Sequence, residues 1–334
     1  MGSPDPQYRR QLNGMGGGVS SLSKICVVGP PSSPDRVSEV DVDYAFVQVG
    51  IDDGLLDLSG NCGNLSSMIG VFALDEGLCR PRISDDGDGL ATVRSYNTNT
   101  SKIIDTTFPL STSDEEPATV LDTPQVEMAG VPGNASRILL QFVNPAGART
   151  GKLLPTGNAI PASLVDATNT TVFISSQDLA HILGLDGHTL TTTHYTSPDV
   201  EATLECIRQT GAKRMGLDPS VKAQPKIAVL SERAANVEDA DIVIHAFSMG
   251  VLHKAVPMTV GLCLGVASGV EGTLAHAIVF RAHSRREDGD GSMIRIRHPG
   301  GVVEVGADFA EDGTVLNAQV VRTGRRLMKG AVWW

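Results

Sequence analysis

The chain has 334 residues, of which 41% are hydrophobic and 19% are charged, a composition typical of folded globular proteins and a length that predicts two domains. Its formal net charge of −11 at pH 7 disfavours nucleic acid and anionic membranes as partners, because either partner requires a basic surface. No apolar run reaches the ~18 residues of a membrane span, and residues 1–20 lack the charged start and apolar stretch of a secretory signal, so a cytoplasmic enzyme is predicted.

The first half of the chain is predicted to fold as strand, strand, loop, helix and strand. Apolar runs at residues 24–28 and 42–51 indicate the two strands. The loop at residues 60–64, of sequence Gly-Asn-Cys-Gly-Asn, opens a helical segment that is expected to stop near Gly77. The apolar face of this helix has the spacing of one helical stripe and consists of Leu65, Met68, Ile69 and Phe72. A strand at residues 91–96 completes the unit.

The second half repeats this order of elements. Strands are predicted at residues 226–230 and 242–247, a loop at 248–254, and a helix at 258–266 that is apolar nearly all round and is therefore expected to be buried. A strand at residues 293–297 follows. Two halves with the same order predict a duplicated α+β fold with a pseudo-twofold cleft between them, which is a usual place for a ligand.

The boundary between the halves is predicted just before Arg137. Residues 131–134, of sequence Val-Pro-Gly-Asn, break the preceding structure, and an apolar strand begins at residues 138–143. The first domain is therefore expected to span residues 1–136 and to carry the loop with Cys62. The second is expected to span residues 137–334, with its last strand free to return to the first domain.

Two residues of the first half could carry acid/base chemistry. Cys62 lies between glycines before a predicted helix, where N–H groups favour a thiolate, but a small buried thiol at a tight turn explains the pattern equally well. Lys24 follows the glycine- and serine-rich residues 16–23, whose N–H groups and hydroxyls could hold a carboxylate. Spacing alone favours a solvated lysine here. The loop matches neither a phosphate loop nor a dinucleotide motif, so nucleotide binding is unsupported.

Two histidines of the second half are further candidates. His253 and Lys254 occupy the loop that corresponds to Cys62 by the internal repeat, so they could face the same cleft and supply positive charge. A His-Lys pair before a helix is also common on plain surface. His298 lies in a turn between two strands, where a histidine is as often incidental as functional.

The cysteines are predicted to be free thiols. The chain has five of them, at Cys26, Cys62, Cys79, Cys206 and Cys263. An odd number without Cys-x-x-Cys spacing disfavours a disulfide framework and a zinc site, so no metal is expected. Cys26, in an apolar strand, and Cys263, in the apolar helix, are predicted to lie in the core.

Several motifs, which together extend over nearly the whole chain, resemble those of one known family. They are Gly2-Ser3-Pro4-Asp5-Pro6, Gly14-Met15-Gly16-Gly17, Ser20-Ser21 with Ser23-Lys24, Ser59-Gly60-Asn61-Cys62-Gly63-Asn64-Leu65, Leu154-Pro155-Thr156-Gly157-Asn158, Arg214-Met215-Gly216-Leu217, Ser248-Met249-Gly250, Leu252-His253, and His298-Pro299 with Gly301. On these residues the sequence resembles the PrpF family, whose fold is similar to that of diaminopimelate epimerase.

The resemblance implies two pseudo-symmetric α+β domains, each a mainly antiparallel sheet wrapped around a central helix, with the substrate between them. It implies isomerisation, without a metal or organic cofactor, of double bonds in acids such as 2-methylaconitate, aconitate, methylitaconate or oxalomesaconate. Lys24 and Cys62 would be the acid/base pair. The substrate-binding residues would be Ser20, Ser21, Asn61, Gly63, Asn64, His253 and His298. The expected partner is a small unsaturated polycarboxylate. A homodimer is one of the oligomeric states that the sequence allows.

The sequence departs from the family's pattern at its start. Family members normally begin with an additional strand and helix whose Arg-Gly-Gly-Thr-Ser motif lines the active site, and this sequence begins after that point. An inactive paralogue or a carboxylate-binding protein is therefore the alternative interpretation, and the strand at residues 24–28 is expected to form an exposed sheet edge. A racemase or epimerase acting on an amino acid is disfavoured, because only one of the two loops offers a cysteine.

Overall fold

A computed structural model describes residues 1–84, 87–111, 118–129, 131–148, 162–185, 190–234, 239–283 and 293–330. The strands in these ranges are β1 (Lys24–Gly29), β2 (Val42–Val49), β3 (Leu56–Asp57), β4 (Arg82–Ile83), β5 (Leu90–Asn97), β6 (Lys102–Pro109), β7 (Val126–Met128), β8 (Val131–Ala135), β9 (Ile138–Val143), β10 (Ala162–Ala167), β11 (Asn169–Ser175), β12 (Lys226–Ser231), β13 (Ile242–Ser248), β14 (Val251–Leu252), β15 (Met293–His298), β16 (Gly301–Phe309) and β17 (Val315–Arg322). The α-helices are α1 (Gly63–Ser66), α2 (Ile69–Asp75), α3 (Ser176–Ile182), α4 (Thr192–Tyr195), α5 (Pro198–Arg214), α6 (Met258–Ser268) and α7 (Leu274–His283). The motif at residues 154–158 lies outside the described residues.

One large sheet joins almost all of these strands. Its order is β1-β2-β5-β6-β9-β17-β16-β15-β13-β12-β11-β10, with β3 and β14 attached to β2 and β13 and with β4 attached to β5. Most neighbours are antiparallel, and the parallel pairs are β2–β5, β13–β15 and β11–β12. The predicted α+β class with a mainly antiparallel sheet is therefore confirmed.

The sheet contains the same unit twice. In the first half, β1, β2, β3, the α1–α2 segment, β5, β6 and β9 follow one another; in the second, β12, β13, β14, α6, β15, β16 and β17 do so. The pairings also match, because β2–β5 and β13–β15 are both parallel and the two units meet where β9 pairs with β17. The order of elements confirms the predicted repeat. The boundary at residues 136 and 137 stays a prediction, since β9 also pairs with β6.

Helix α6 is the central helix of the second half. All of its residues except Ser268 are buried, as its uniformly apolar sequence predicts. It packs on β10 and β11 and on β16 and β17. Glycine permits the close approach, because a Cβ on Gly265 would lie 3.0 Å from Cγ2 of Val305 on β16. Because α6 has no polar face to turn toward solvent, it is stable only when it is surrounded by the core.

The corresponding segment of the first half differs from the single helix that was predicted. Two short helices, α1 and α2, replace it. The hydroxyls of Ser66 and Ser67 donate to the backbone oxygens of Cys62 (3.1 Å) and Asn64 (2.7 Å), and such bonds compete with a continuous helix. The predicted apolar face is wrong at Phe72, which is 46% exposed.

Helix α2 meets the sheet through small and branched side chains instead. Its buried residues are Ile69, Gly70, Val71 and Ala73. A Cβ on Gly70 would lie 3.0 Å from Cβ of Thr106 and 3.1 Å from Cβ of Val93. The helix can therefore approach β5 and β6 closely only because this position is glycine.

Strand β1 lies at one end of the described sheet. It pairs with β2, and the side chains of Ile25 and Val27 are 39% and 62% exposed. Its counterpart in the second half, β12, pairs on its far side with β11. Within the described residues, the predicted exposed edge is therefore observed. None of the helices in these residues combines the length and the apolar character that crossing a membrane requires.

Candidate active site

The two predicted acid/base residues lie side by side. Lys24 is the first residue of β1 and Cys62 is the N-cap of α1. Strand β2 brings them together, because Gln48 pairs with Lys24 on one side and with Asp57, at the start of the Cys62 loop, on the other. The Lys24 Nζ atom donates to the Cys62 Sγ atom at 3.6 Å. An ammonium group and a thiol at this distance can exchange a proton with each other or with a ligand between the two halves.

A cavity opens beside this pair and is lined by both halves of the chain. The first half contributes Ser20, Ser21, Lys24, Phe46, Gln48, Asp57, Ser59, Gly60, Asn61, Cys62, Gly63 and Asn64, and the second half contributes Asn169, Ala223, Gln224, Lys226, Ser248, Met249, His253, Pro257, Met258 and Thr259. The fold thus brings together all of the predicted site residues except His298. Their roles in binding and catalysis stay predictions.

His298 lies outside the cavity wall. It is 8% exposed, and its Nδ1 atom accepts a hydrogen bond from the Gly300 N–H at 3.0 Å. Burial, with the nearby charges of Arg322 and His253, lowers the pKa of His298 to about 4. The imidazole is therefore neutral at pH 7. Lys254, considered beside His253 in the sequence, is exposed and does not line the cavity.

The cavity is also lined by a second lysine, Lys226, which was not among the site residues predicted from the sequence. Lys226 is the first residue of β12, as Lys24 is of β1. Its Nζ atom donates to the Ser248 hydroxyl at 3.0 Å and to the Ala223 carbonyl at 3.2 Å. The internal repeat could have identified this residue, because aligning residues 226–230 with residues 24–28 places Lys226 and Lys24 at equivalent positions.

The charge state of Lys226 is sensitive to its surroundings. Burial, and then the positive charge of Lys24, lower the pKa of Lys226 to about 8, against the opposing effects of Cys62 and Asp57. At pH 7 most of its population is still protonated. A ligand carboxylate placed beside the two ammonium groups would raise the pKa again, because an anion favours the charged form of an amine.

The loop before α1 has hydrogen-bond donors available for a ligand. Asn61 uses its Oδ1 atom to accept from the Cys62 N–H at 2.7 Å. Its Nδ2 atom and the Ser59 hydroxyl are buried without a hydrogen-bond partner among the described residues. Both residues line the cavity. Because an unpaired buried donor costs about 1–3 kcal/mol, a carboxylate that accepts from these groups would bind favourably.

Gly63 has a packing role as well as a place in the cavity wall. A Cβ on Gly63 would lie 3.0 Å from Cβ of Met258 and 3.6 Å from Cγ2 of Thr259. These two residues form the start of α6. The glycine therefore allows the beginnings of α1 and α6 to meet at the cavity, where the free N–H groups of the longer helix α6 favour negative charge.

His253 faces the cavity, as predicted from the repeat. Its Nδ1 atom is in hydrogen-bond contact with the backbone of Ala255. Burial lowers its pKa below the usual value, the Ala255 bond opposes this, and the charges of Lys24 and Lys226 lower the pKa further. The lowered pKa favours the uncharged imidazole, so the positive charge at the cavity wall is carried by the two lysines rather than by His253.

The other cysteines differ from Cys62 in their surroundings. Cys263 is fully buried in α6, which confirms its predicted place in the core, and burial raises its pKa to about 12. Cys26 is only half-buried, and burial together with the neighbouring Cys62 raises its pKa to about 12. Cys206 is exposed on α5. Among the described residues, no group of three or more histidine, cysteine or carboxylate side chains could hold a metal ion.

Comparison with known proteins agrees with this geometry. The family model described as "PrpF protein" matches residues 1–334. The 2-methyl-aconitate isomerase of Shewanella oneidensis is 34% identical over 99% of this chain and 86% of its own length, and the 3-methylitaconate isomerase of Eubacterium barkeri is 32% identical over 99% and 87%. The 4-oxalomesaconate tautomerase of Pseudomonas putida is 30% identical over 99% and 86%.

A solved structure is similar over the same extent. The crystal structure of methylitaconate-delta-isomerase superposes with a TM-score of 0.76 at 31% identity, covering 99% of this chain and 85% of that chain. This likeness confirms the diaminopimelate epimerase-like fold that the sequence predicted. With the family model and relatives of this identity matching from end to end, the chain belongs to the PrpF family.

Proposed function

We propose that this protein is a cofactor-independent isomerase that moves a proton along an unsaturated di- or tricarboxylate, or rotates its double bond, with Lys24 and Cys62 as the acid/base pair. The observation that carries the proposal is the 3.6 Å contact between Lys24 Nζ and Cys62 Sγ at a cavity lined by both halves of the chain. The names of the relatives, which are isomerases of 2-methylaconitate and 3-methylitaconate, support the same class of substrate.

The chemistry requires two proton-transfer groups and a place for negative charge. An allylic C–H bond is acidic when the neighbouring double bond is conjugated with a carboxylate. One residue can therefore remove this proton while the other returns a proton at a different carbon. Return at the original carbon after rotation gives the cis-trans product instead. The intermediate dienolate carries its charge on carboxylate oxygens, and donors fixed around those oxygens stabilise it.

The groups for this task surround the pair. Lys226 supplies a second ammonium group, and Asn61 and Ser59 supply donors without a partner among the described residues. Asp57 is the acidic residue among those that line the cavity, so the two lysines leave it an excess of positive charge, within a chain whose formal net charge is −11. This arrangement favours a small substrate with more than one carboxylate.

Two other functions are less well supported. An amino-acid racemase that uses one thiol from each half would need a cysteine in the loop before α6, but that loop contributes His253 and Pro257 to the cavity, and none of the described residues from the second half that line it is a cysteine. A carboxylate-binding protein without turnover would use the same lysines and donors. The binding alternative therefore differs from the proposal only in proton transfer, which an experiment can measure.

Proton spectroscopy in deuterated buffer separates these functions. The purified chain is incubated with 2-methylaconitate, 3-methylitaconate and trans-aconitate, and each acid is followed by the loss of its allylic proton signals and the appearance of isomers. The proposal predicts a new isomer with deuterium at the reacting carbons for at least one acid, and its loss in a Lys24→Ala, Cys62→Ser double variant. Line broadening without exchange for any acid would instead support the binding protein.

A further inference from the structure

The chain after β17 runs along the α1–α2 segment of the first half. We call residues 322–329, which start at the last residue of β17, the C-terminal strap. Gly324 lies against the Met68 sulfur, which leaves no room for a Cβ. Further along, Arg326 forms an ion pair with Asp75 at the end of α2. Later residues of the strap contact later residues of the α1–α2 segment, so the strap and this segment run in the same direction. The strap is therefore attached at more than one point along its length.

The strap begins at Arg322, directly behind the Cys62 loop. The Arg322 Nη2 atom donates to the Asn64 Oδ1 atom at 2.7 Å. Asn64 lines the cavity and Arg322 does not. Arg322 is also the last residue of β17, where it pairs with Ile138 of β9. Its backbone is thus fixed by the central strands of the sheet, and its side chain reaches Asn64 in the first turn of α1, two positions after Cys62.

The charge of Arg322 is close enough to interact with the thiol. Burial lowers the pKa of the Arg322 guanidinium, and the nearby Cys62 opposes this effect. The same positive charge contributes to the lowered pKa of His298. Arginine is suited to this position because its planar group keeps its charge at all ordinary pH values while it donates in a fixed direction.

We propose that Arg322 is a positioning residue for Cys62: through its hydrogen bond to Asn64 it holds the loop at residues 61–64 so that the thiol faces Lys24. The proposal rests on the proposed function for its catalytic meaning, while the contact with the loop is independent of any substrate. The second half of the chain thereby helps to arrange the acid/base pair, both members of which belong to the first half.

The test measures Cys62 itself as well as turnover. The rate of alkylation of Cys62 by iodoacetamide is followed by peptide mass spectrometry from pH 6 to 10 in the parent chain and in Arg322→Gln, Arg322→Lys and Arg325→Gln variants. Arg325 is the matched control, because it is an exposed arginine of the same strap. Loss of a neighbouring positive charge disfavours the ionised form of a thiol, so Arg322→Gln should shift the alkylation midpoint upward relative to Arg325→Gln.

Turnover of whichever acid the parent chain converts gives the second readout. Arg322→Gln is expected to lower kcat about tenfold or more with a smaller change in KM, Arg322→Lys to restore part of the loss, and Arg325→Gln to match the parent. Should Arg322→Gln fail to fold, Arg322→Lys and Asn64→Ala take its place. Asn64→Ala removes the acceptor but keeps the charge, so it should lower kcat while shifting the midpoint less than a loss of charge would.

The outcomes separate this proposal from the proposed function. A folded Arg322→Gln variant with the midpoint and kcat of the Arg325→Gln control overturns the positioning role, and so does an unchanged kcat in both substitute variants. A parent chain that converts no acid, but whose Cys62 midpoint still rises in Arg322→Gln, supports the contact and overturns the isomerase.

Discussion

Replacing Lys226 by methionine should stabilise the ligand-free protein and lower its affinity for a carboxylate ligand. The pKa of Lys226 is lowered from 10.5 to about 8, which corresponds to about 3 kcal/mol of unfavourable free energy for the charged form in the folded state. Methionine removes this cost. It also removes two hydrogen bonds, to Ser248 and Ala223, each worth about 1 kcal/mol. The net expected gain at pH 7 is about 1 kcal/mol.

The sign of the pH dependence follows from the lowered pKa. Between about pH 8 and pH 10.5 the unfolded chain binds more protons at this lysine than the folded chain does, so the stability of the parent rises with pH across this window. The advantage of Lys226→Met over the parent should therefore be largest at pH 7 and should be lost by pH 10, where less than about 1 kcal/mol of the charge cost remains against the two lost hydrogen bonds. Below pH 8 the cost of the buried charge is fully present.

Urea unfolding at pH 7 and pH 10 measures both effects, with Lys254→Met, a change at an exposed lysine, as the control for net charge. Added trans-aconitate should stabilise the parent more than Lys226→Met, because the ligand loses a cationic partner in the variant. A Lys226→Met variant that is less stable than the parent by ~2 kcal/mol at pH 7, with equal stabilisation by the ligand, would refute the reasoning and make this lysine a structural residue.

Two further predictions concern the loop and its packing. Iodoacetamide at pH 8 should modify Cys62 before Cys263, because full burial and a pKa of about 12 keep Cys263 covered and protonated. A bound polycarboxylate should protect Cys62 alone. Equal labelling of the two cysteines would contradict the assignment of Cys62 to the cavity. Gly63→Ala should lower the free energy of unfolding by about 1–3 kcal/mol, because the new Cβ would lie 3.0 Å from Cβ and 3.3 Å from Cγ of Met258. Met258→Ala keeps the Cβ atom but removes Cγ, so it should relieve only the second contact and recover a small part of this loss when the two changes are combined. Urea unfolding of the three variants checks this, and a Gly63→Ala chain as stable as the parent would show that the start of α6 moves freely.

Local patterns predicted the repeated elements well. Strand β9 has the bounds that the apolar run at residues 138–143 indicated, and α6 is buried because its sequence has no polar face. The helix predicted after Cys62 failed because the periodicity of apolar residues gives no weight to hydroxyls that bond the preceding backbone, as those of Ser66 and Ser67 do. Periodicity also misjudged Phe72, since glycine at position 70, rather than a large side chain, makes the contact with the sheet.

Helix α5 was missed although its ends carry ordinary signals. Pro198 occupies the first turn, acidic residues follow it, and Lys213 and Arg214 lie in the last turn. Its buried stripe, however, includes Arg208, which is 3% exposed and paired with Glu205. A charged residue in the stripe obscures the apolar pattern, and its partners become known only from the fold.

The site was only partly predictable for a similar reason. Motifs near Lys24 and Cys62 identified both residues, but their 3.6 Å contact depends on the pairing of β1, β2 and β3. Lys226 could have been found by carrying the repeat to single positions. Arg322 could not, because it is far from Asn64 in sequence and the strap has no pattern that indicates where it lies.

The most direct test of the acid/base pair compares isomerisation with deuterium exchange in Lys24→Ala and Cys62→Ser. Each variant should lose ~10² to 10⁴ in kcat with a smaller change in KM, as expected when a positioned acid or base is removed. One of them should still exchange substrate protons with solvent without completing the isomerisation, which would identify the residue that takes the first proton. A folded Lys24→Ala chain with near-parent turnover on an acid that the parent converts would contradict the two-residue mechanism.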